Sequence, residues 1–178
     1  MDKNILKTKI SVRVVCQVAM LIAVASVLER FTPIVNLPTM RITLAFIPMM
    51  ACGMFFGPVW GMIAYGVSDF LGWPIMGLVP IPLVFISRAV NGFLFGLILH
   101  REELKLLVHG TINAFVTQII CGMGLTTLGL SMFYSMPYFP FLVSRLPQFG
   151  IYIIMLIVVF PLLVKLRDAL RKSDLLRE

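Results

Sequence analysis

The sequence has few charged residues, and this shortage decides its class. Only 13% of its 178 residues are Asp, Glu, Lys or Arg, whereas 60% are hydrophobic and the mean hydropathy is +0.99. A soluble domain of this length cannot bury so much apolar surface, so the composition indicates a membrane protein. The length suits about six spanning helices of about 20 residues with short loops. Residues 1–178 are therefore predicted to form a single all-α membrane domain.

Motifs for nucleotide hydrolysis and for common enzyme chemistry are also absent. No GxxxxGK[ST] occurs, so the chain has no phosphate loop with which to use ATP. No GxSxG, HExxH or CxxC occurs, and the histidines lie away from the polar residues described below. No inverted repeat is evident, which disfavours a self-sufficient secondary transporter. The sequence predicts a protein that is not an enzyme and has no cofactor of its own.

Cysteines are few and carry no metal-binding pattern. Cys16, Cys52 and Cys121 all lie in apolar runs, and their number is odd. Their spacing fits no metal site, so the sequence predicts none. We interpret all three as small hydrophobic residues.

The excess of positive charge, formally +7, lies mainly at the ends of the chain. Four basic residues lie near the N-terminus, two lie in the polar break HREELK, and five follow the last apolar run. Six helices would place these eleven residues on one side and leave four arginines for the other, so both termini are predicted to be cytoplasmic. The aromatic-interleaved basic stripe of a nucleic-acid surface is absent, so no nucleic-acid partner is expected. The four outer arginines are Arg30, Arg41, Arg88 and Arg145.

Apolar runs predict where the helices lie. The first run, Ile10 to Leu28, follows basic residues as in a signal peptide, but it is too long and lacks a clear cleavage site. We therefore predict a retained first helix. The linkers RFTPIVNLPTMR, PIMGLVPIP and YSMPYFPF are predicted to be irregular, and RDALRKSDLLRE is predicted to be a short surface helix or a frayed tail. The predicted helices are approximately 11–29, 42–57, 59–73, 82–100, 106–130 and 144–166.

Polar and aromatic side chains lie at a similar depth near the outer ends of three predicted helices. In each helix, residues three or four positions apart share one face, as Tyr65 and Asp69 do. A charge inside a span costs about 2.5–3.5 kcal/mol on insertion scales, so it usually faces the bundle interior and marks a functional site. The three sets are Tyr65, Ser68 and Asp69; Arg88, Asn91 and Phe95; and Arg145, Gln148 and Tyr152.

These residue types suit a pocket for a planar, anionic small molecule. Aromatic walls bury ring faces, Asp69 can accept hydrogen bonds from an amino-pyrimidine edge, and arginines bind carboxylates in bidentate geometry. Two alternatives stay open: Asp69 and Arg88 only neutralise each other, and Arg30 and Arg41 only extend to lipid headgroups. The predicted ligand contacts are Arg41, Phe46, Tyr65, Asp69, Arg88, Asn91, Tyr138, Arg145 and Gln148.

Small residues lie one helical turn apart in two places. Ala19 and Ala23 form a patch on the first helix that lets another helix approach closely, either a partner protein or a neighbour in the same chain. Gly92 and Gly96 have the same spacing and are expected to serve packing within the chain.

Three runs of sequence are distinctive: RITLAFIPMMACGMFFGPVWGMIAYGVSDFLG (41–72), SRAVNGFLFG (87–96) and SRLPQ (144–148). They resemble the substrate-binding (S) components of energy-coupling factor (ECF) transporters, in the folate-specific branch. The alanine patch on the first helix is similar to the family's docking motif. The resemblance covers nearly the whole chain.

The resemblance implies a compact bundle of six helices in the bacterial plasma membrane, with both termini cytoplasmic. Such a component binds a vitamin from outside, here folate, and docks through Ala19 and Ala23 on a transmembrane T component. The T component couples to two cytoplasmic ATPases, and toppling of the S component carries its site towards the cytoplasm. A pterin would suit Asp69 and the aromatic residues, and a glutamate tail would suit the arginines. An S component for thiamine, riboflavin or pantothenate, and a non-transport membrane scaffold, stay as alternatives.

Overall fold

A computed structural model describes residues 11–31, 33–36, 41–76, 81–100 and 106–172. Within these residues the chain forms six helical rods and one short β-hairpin. One rod is continuous through α5, a π-helical stretch that we call the π segment, and α6. The elements are α1 (Val12–Phe31), β1 (Pro33–Asn36), β2 (Arg41–Thr43), α2 (Phe46–Phe56), α3 (Pro58–Met76), α4 (Pro82–Leu99), α5 (Leu106–Thr117), the π segment (Gln118–Thr126), α6 (Thr127–Phe133) and α7 (Tyr138–Lys172).

Four helical stretches of the described chain are long and apolar enough to cross a membrane. α2 has 11 residues, which extend over about 16 Å, against a hydrocarbon core of about 30 Å. α3 is longer, but it carries the polar Ser68 and Asp69. The helical, multi-pass class is as predicted, whereas six full spans stay a prediction. The four stretches are Val12–Phe31, Pro82–Leu99, Val108–Phe133 and Tyr138–Ala169.

The hairpin lies where the sequence predicted only an irregular linker. Its strands are antiparallel, with Pro33 opposite Thr43 and Asn36 opposite Arg41. β-Branched residues favour extended backbone, and they occur here in runs too short for a clear alternating pattern. The backbone N–H of Thr43 donates to Tyr152 Oη on α7 at 3.3 Å. The hairpin is thereby attached to the rods that surround the cavity described below.

The last helix is longer than the sequence predicted. It begins at Tyr138 rather than Ser144 and continues to Lys172, so the start of the supposed tail is helical. Pro140 lies in the first turn, where the missing N–H would have no intrahelical partner in any case. The prediction of an irregular YSMPYFPF therefore holds only for Tyr134–Pro137, which separate α6 from α7.

Two buried apolar clusters join the rods. One connects α2, α4, α5 and α7, with Met50, Phe95 and Phe160 among its buried members. The other connects α1, α2 and α3 and includes Val18 and Met49. α2 contributes to both clusters, so this short helix lies at the centre of the bundle.

Glycines bring α3 and α4 into backbone contact. A Cβ atom at Gly92 would meet the backbone carbonyl of Gly61, and one at Gly96 would meet the backbone of Pro58. Small residues permit such close approach between membrane helices. Gly57, with φ +92°, makes the turn from α2 into α3, a conformation that favours glycine. The packing expected of Gly92 and Gly96 agrees with these contacts.

We expect Gly96→Ala to destabilise the protein by about 1–3 kcal/mol, because the added methyl group would force the α3 and α4 backbones apart. Thermal unfolding of the detergent-solubilised protein measures this effect. Gly150→Ala is the matched control, since a Cβ at Gly150 of α7 would meet nothing within 4 Å. Equal stability of the two variants would contradict the tight contact between α3 and α4.

Candidate functional site

A polar cavity lies among α2, α3, α4, α7 and the π segment. Its volume is about 580 Å³, including the part open to solvent. It combines two arginines and three side-chain amides with aromatic rings. Six of the nine predicted ligand contacts line it: Phe46, Tyr65, Arg88, Asn91, Arg145 and Gln148.

Arg88 is surrounded by compensating groups. Its Nη1 donates to Tyr65 Oη at 3.1 Å, and its guanidinium carbon lies 5.5 Å from the centroid of the Tyr65 ring. Its Nη2 lies 3.6 Å from Glu29 Oε1, and its Nε lies 3.7 Å from Asp69 Oδ1. Two carboxylates from α1 and α3 therefore balance the charge of Arg88. The neutralisation considered for Asp69 and Arg88 occurs, with Glu29 as an additional partner that sequence reasoning missed.

Asp69 is buried behind Arg88 and is not among the residues that line the cavity. Its Oδ2 accepts a hydrogen bond from Trp73 Nε1 at 3.0 Å, while Oδ1 faces Arg88. Both oxygens thus have partners within the bundle. In this arrangement Asp69 orients Arg88 and does not offer a carboxylate edge to the cavity.

Arg145 has a different environment, although it faces the same cavity. It is 6% exposed, and its Nε donates to Gln148 Oε1 at 3.2 Å. Its Nη1 donates to Thr127 Oγ1 at 3.3 Å, and its guanidinium carbon lies 5.8 Å from the ring centroids of both Phe141 and Phe149.

No carboxylate of the described residues forms an ion pair with Arg145. A buried charge without an opposite charge costs several kcal/mol. Cation–π contacts and neutral acceptors offset only part of that cost. An anion bound beside Arg145 would supply the opposite charge that the described residues do not provide.

Asn91 provides a hydrogen-bond acceptor in the same cavity. Its Oδ1 is buried and has no hydrogen-bond partner among the described residues. An unpaired buried acceptor is costly, so it marks a place where an N–H of a ligand would bind favourably. Phe46 and Tyr152 also line the cavity. Their rings are in edge-to-face contact, with centroids 5.8 Å apart. The cavity thus offers an anion site, an acceptor and ring surfaces.

Tyr138, another predicted contact, is not among the described residues that line the cavity. Tyr138 begins α7, and its hydroxyl donates to the carbonyl oxygen of Met123 at 2.9 Å. Arg41 lies in β2 with its backbone opposite Asn36, and its side chain is outside the described part of the chain. Both assignments stay predictions.

The π segment contributes lining residues that the sequence prediction missed. Four of its residues line the cavity, and Ser87 of α4, also missed, lies against it. Polar residues and glycines in an otherwise apolar run were the available signal. Cys121, interpreted as a hydrophobic filler, is buried but belongs to this wall. The four residues are Gln118, Cys121, Gly122 and Thr126.

The two alanines of the predicted docking patch lie on the surface. Ala19 and Ala23 are exposed on α1, whereas Ala25 of the same helix is completely buried. The patch is therefore not used for packing by the described residues of this chain. It leaves two small side chains, one helical turn apart, exposed on the outside of the bundle.

Comparisons with known proteins agree with this architecture. The sequence model of the family described as "ECF transporter, substrate-specific component" matches residues 13–164. A solved structure of FolT bound with folic acid is similar with a TM-score of 0.75 and 24% identity, covering 84% of this chain and 91% of that one. The S-component for biotin from an ECF-type ABC transporter is similar with a TM-score of 0.67 and 19% identity, covering 94% and 95%. No curated protein sequence matches the chain.

Proposed function

The chain belongs to the family of substrate-specific components of ECF transporters, and we propose that the vitamin it binds is folate. Components of this kind are membrane proteins that bind a vitamin and are not enzymes, as the sequence predicted. The choice of folate rests on the side chains that face the cavity.

The buried Arg145 without a carboxylate partner is the observation that carries the proposal. Folate has a glutamate tail with two carboxylates, and one of them would supply the missing negative charge. Its planar pterin has N–H groups for Asn91 Oδ1 and ring faces for the aromatic wall. The likeness to FolT bound with folic acid supports this choice.

We further propose how folate enters the cell. Six spans with both termini in the cytoplasm, in the plasma membrane of a bacterium, would place the cavity near the outer face. The loaded component would dock through Ala19 and Ala23 on a T component that couples to two ATPases, which alone use ATP. Toppling would then bring the cavity towards the cytoplasm. The exposure of both alanines supports this docking role.

Biotin is the second candidate, because a biotin-binding S-component has a similar structure. Its single carboxylate would suit Arg145, and its ureido N–H groups would suit Asn91. The alternatives considered from sequence fit less well. Thiamine is a cation, riboflavin is neutral, and pantothenate has no ring for the aromatic wall. A protein with only a structural role would not be expected to keep a buried arginine without an opposite charge beside a cavity, because such a charge is costly.

Titration of the purified protein with folic acid, biotin, thiamine, riboflavin and pantothenate tests this assignment. Trp73 is a suitable fluorescent reporter, because it is hydrogen-bonded to Asp69 directly behind Arg88. We expect folic acid to bind tightest and an excess of the other vitamins not to displace it. Tight binding of another vitamin in its place would contradict the folate assignment. Failure of all five to bind would favour the scaffold.

A further inference from the structure

Three hydroxyl groups hold the carbonyl groups of the π segment. The carbonyl oxygens of Cys121, Gly122 and Met123 accept hydrogen bonds from side chains of α4, α6 and α7. π-Helical turns are rare and often occur at functional sites. Here the π segment forms one wall of the cavity, and hydroxyl groups of the surrounding helices fix that wall. The donors are Ser87 at 2.9 Å, Thr127 at 2.8 Å and Tyr138 at 2.9 Å.

Thr127 connects this wall to Arg145. Its side chain is completely buried, and both its backbone N–H and its hydroxyl donate to the carbonyl oxygen of Gly122. A hydroxyl has one proton, so the contact with Gly122 leaves only lone pairs for other partners. Arg145 Nη1 lies 3.3 Å from this hydroxyl oxygen and can only be the donor.

The guanidinium is thereby held at two of its three nitrogens. Thr127 binds Nη1, and Gln148 binds Nε at 3.2 Å. Nη2 forms no hydrogen bond within the described residues. A planar guanidinium fixed at two corners has a defined orientation, and Nη2 stays available for a carboxylate.

We propose that Thr127 is a positioning residue, which orients the Arg145 guanidinium towards a carboxylate of the bound vitamin. The inference rests on the proposed vitamin-binding function of the cavity. Thr127 does not touch the ligand; it acts through the hydrogen bond that it accepts from Arg145. Its contribution therefore depends on the negative charge of the ligand and on the hydroxyl group, not on the bulk of the side chain.

The test compares Thr127→Val, which keeps the shape but removes the hydroxyl, with Thr127→Ser, which keeps the hydroxyl. Each variant is titrated with folic acid and with its dimethyl ester, in which both carboxylates are neutral. We expect Thr127→Val to weaken the binding of folic acid about tenfold and to leave the binding of the ester unchanged. Thr127→Ser should bind folic acid as the unaltered protein does.

Ser131→Ala is the matched control for the loss of a buried hydroxyl. Ser131 is also on α6 and buried, but its hydroxyl donates to the carbonyl of Leu128, away from the cavity. We expect this variant to bind folic acid normally. If Thr127→Val weakened the binding of folic acid and of its dimethyl ester by the same factor, or weakened the binding of neither, the positioning role would be overturned.

Titration of the unaltered protein distinguishes a failure of the folate assignment from a failure of the positioning role of Thr127. If it binds biotin and not folic acid, the folate assignment fails, and the same variants are tested with biotin and biotin methyl ester. A selective loss for biotin would then support the positioning role. If neither vitamin binds, the proposed function and the role of Thr127 are both overturned.

Discussion

Replacing Arg145 by methionine is expected to lower the affinity for folic acid by about 100-fold or more, because charge-assisted hydrogen bonds to a carboxylate are lost. The fold should be retained, since no carboxylate of the described residues depends on Arg145 for its charge balance. Removal of an unpaired buried charge also removes a desolvation cost. Titration with folic acid and thermal unfolding measure the two effects separately.

Arg88→Met is the variant with which the stability of Arg145→Met is compared. Arg88 faces Glu29 at 3.6 Å and Asp69 at 3.7 Å, and its removal would leave two carboxylates without their cation. We therefore expect this variant to be destabilised by about 1–3 kcal/mol, which is less than the cost of breaking a fully buried ion pair because the Arg88 side chain is 32% exposed. If Arg145→Met unfolded while Arg88→Met stayed stable, the assignment of roles to the two arginines would be wrong.

Ala19→Trp is expected to abolish folic acid uptake while leaving the affinity for folic acid unchanged. Ala19 is exposed on α1, so the large ring can be accommodated without disturbing the bundle. A partner helix that packs against small residues would be held away by the indole. Uptake into proteoliposomes that contain the T component and the ATPases measures docking, and titration of the isolated variant measures binding.

Ile154→Trp on α7 controls for a bulky ring on the outer surface. Ile154 is 64% exposed, and no small-residue patch surrounds it. Its replacement should leave both uptake and affinity unchanged. A parallel loss of uptake and affinity in Ala19→Trp would show that Ala19 affects the cavity, which would contradict a separate docking face.

Helical periodicity was sufficient to predict much of the cavity. Arg145, Gln148 and Tyr152 were predicted to share a face because of their spacing, and all three line the cavity. The pairing of Arg88 with Glu29 was not predictable in the same way. It joins α4 to α1, and spacing along one helix gives no information on contacts between helices. The sequence therefore suggested Asp69 as a partner of Arg88 but gave no indication of Glu29.

There is also a physical reason why the sequence did not predict the π segment as a wall of the cavity. A prediction based on the α-helical period of 3.6 residues assigns the wrong face beyond the start of a π-helical segment. Gln118 and Thr126, at its two ends, both line the cavity. The early start of α7 was missed because prolines were taken as helix breaks, although Pro140 lies in a first turn, where proline is tolerated.

A structure of the protein with folic acid bound is the most direct test of the central claim, which is that Arg145 receives a carboxylate of the vitamin inside the cavity. We predict a carboxylate oxygen of folic acid within about 3.2 Å of the Arg145 guanidinium, with Asn91 Oδ1 accepting a hydrogen bond from the pterin. Arg88 should keep its contacts with Glu29 and Asp69. Folic acid bound outside the cavity, or inside it with both carboxylates remote from Arg145, would contradict the claim.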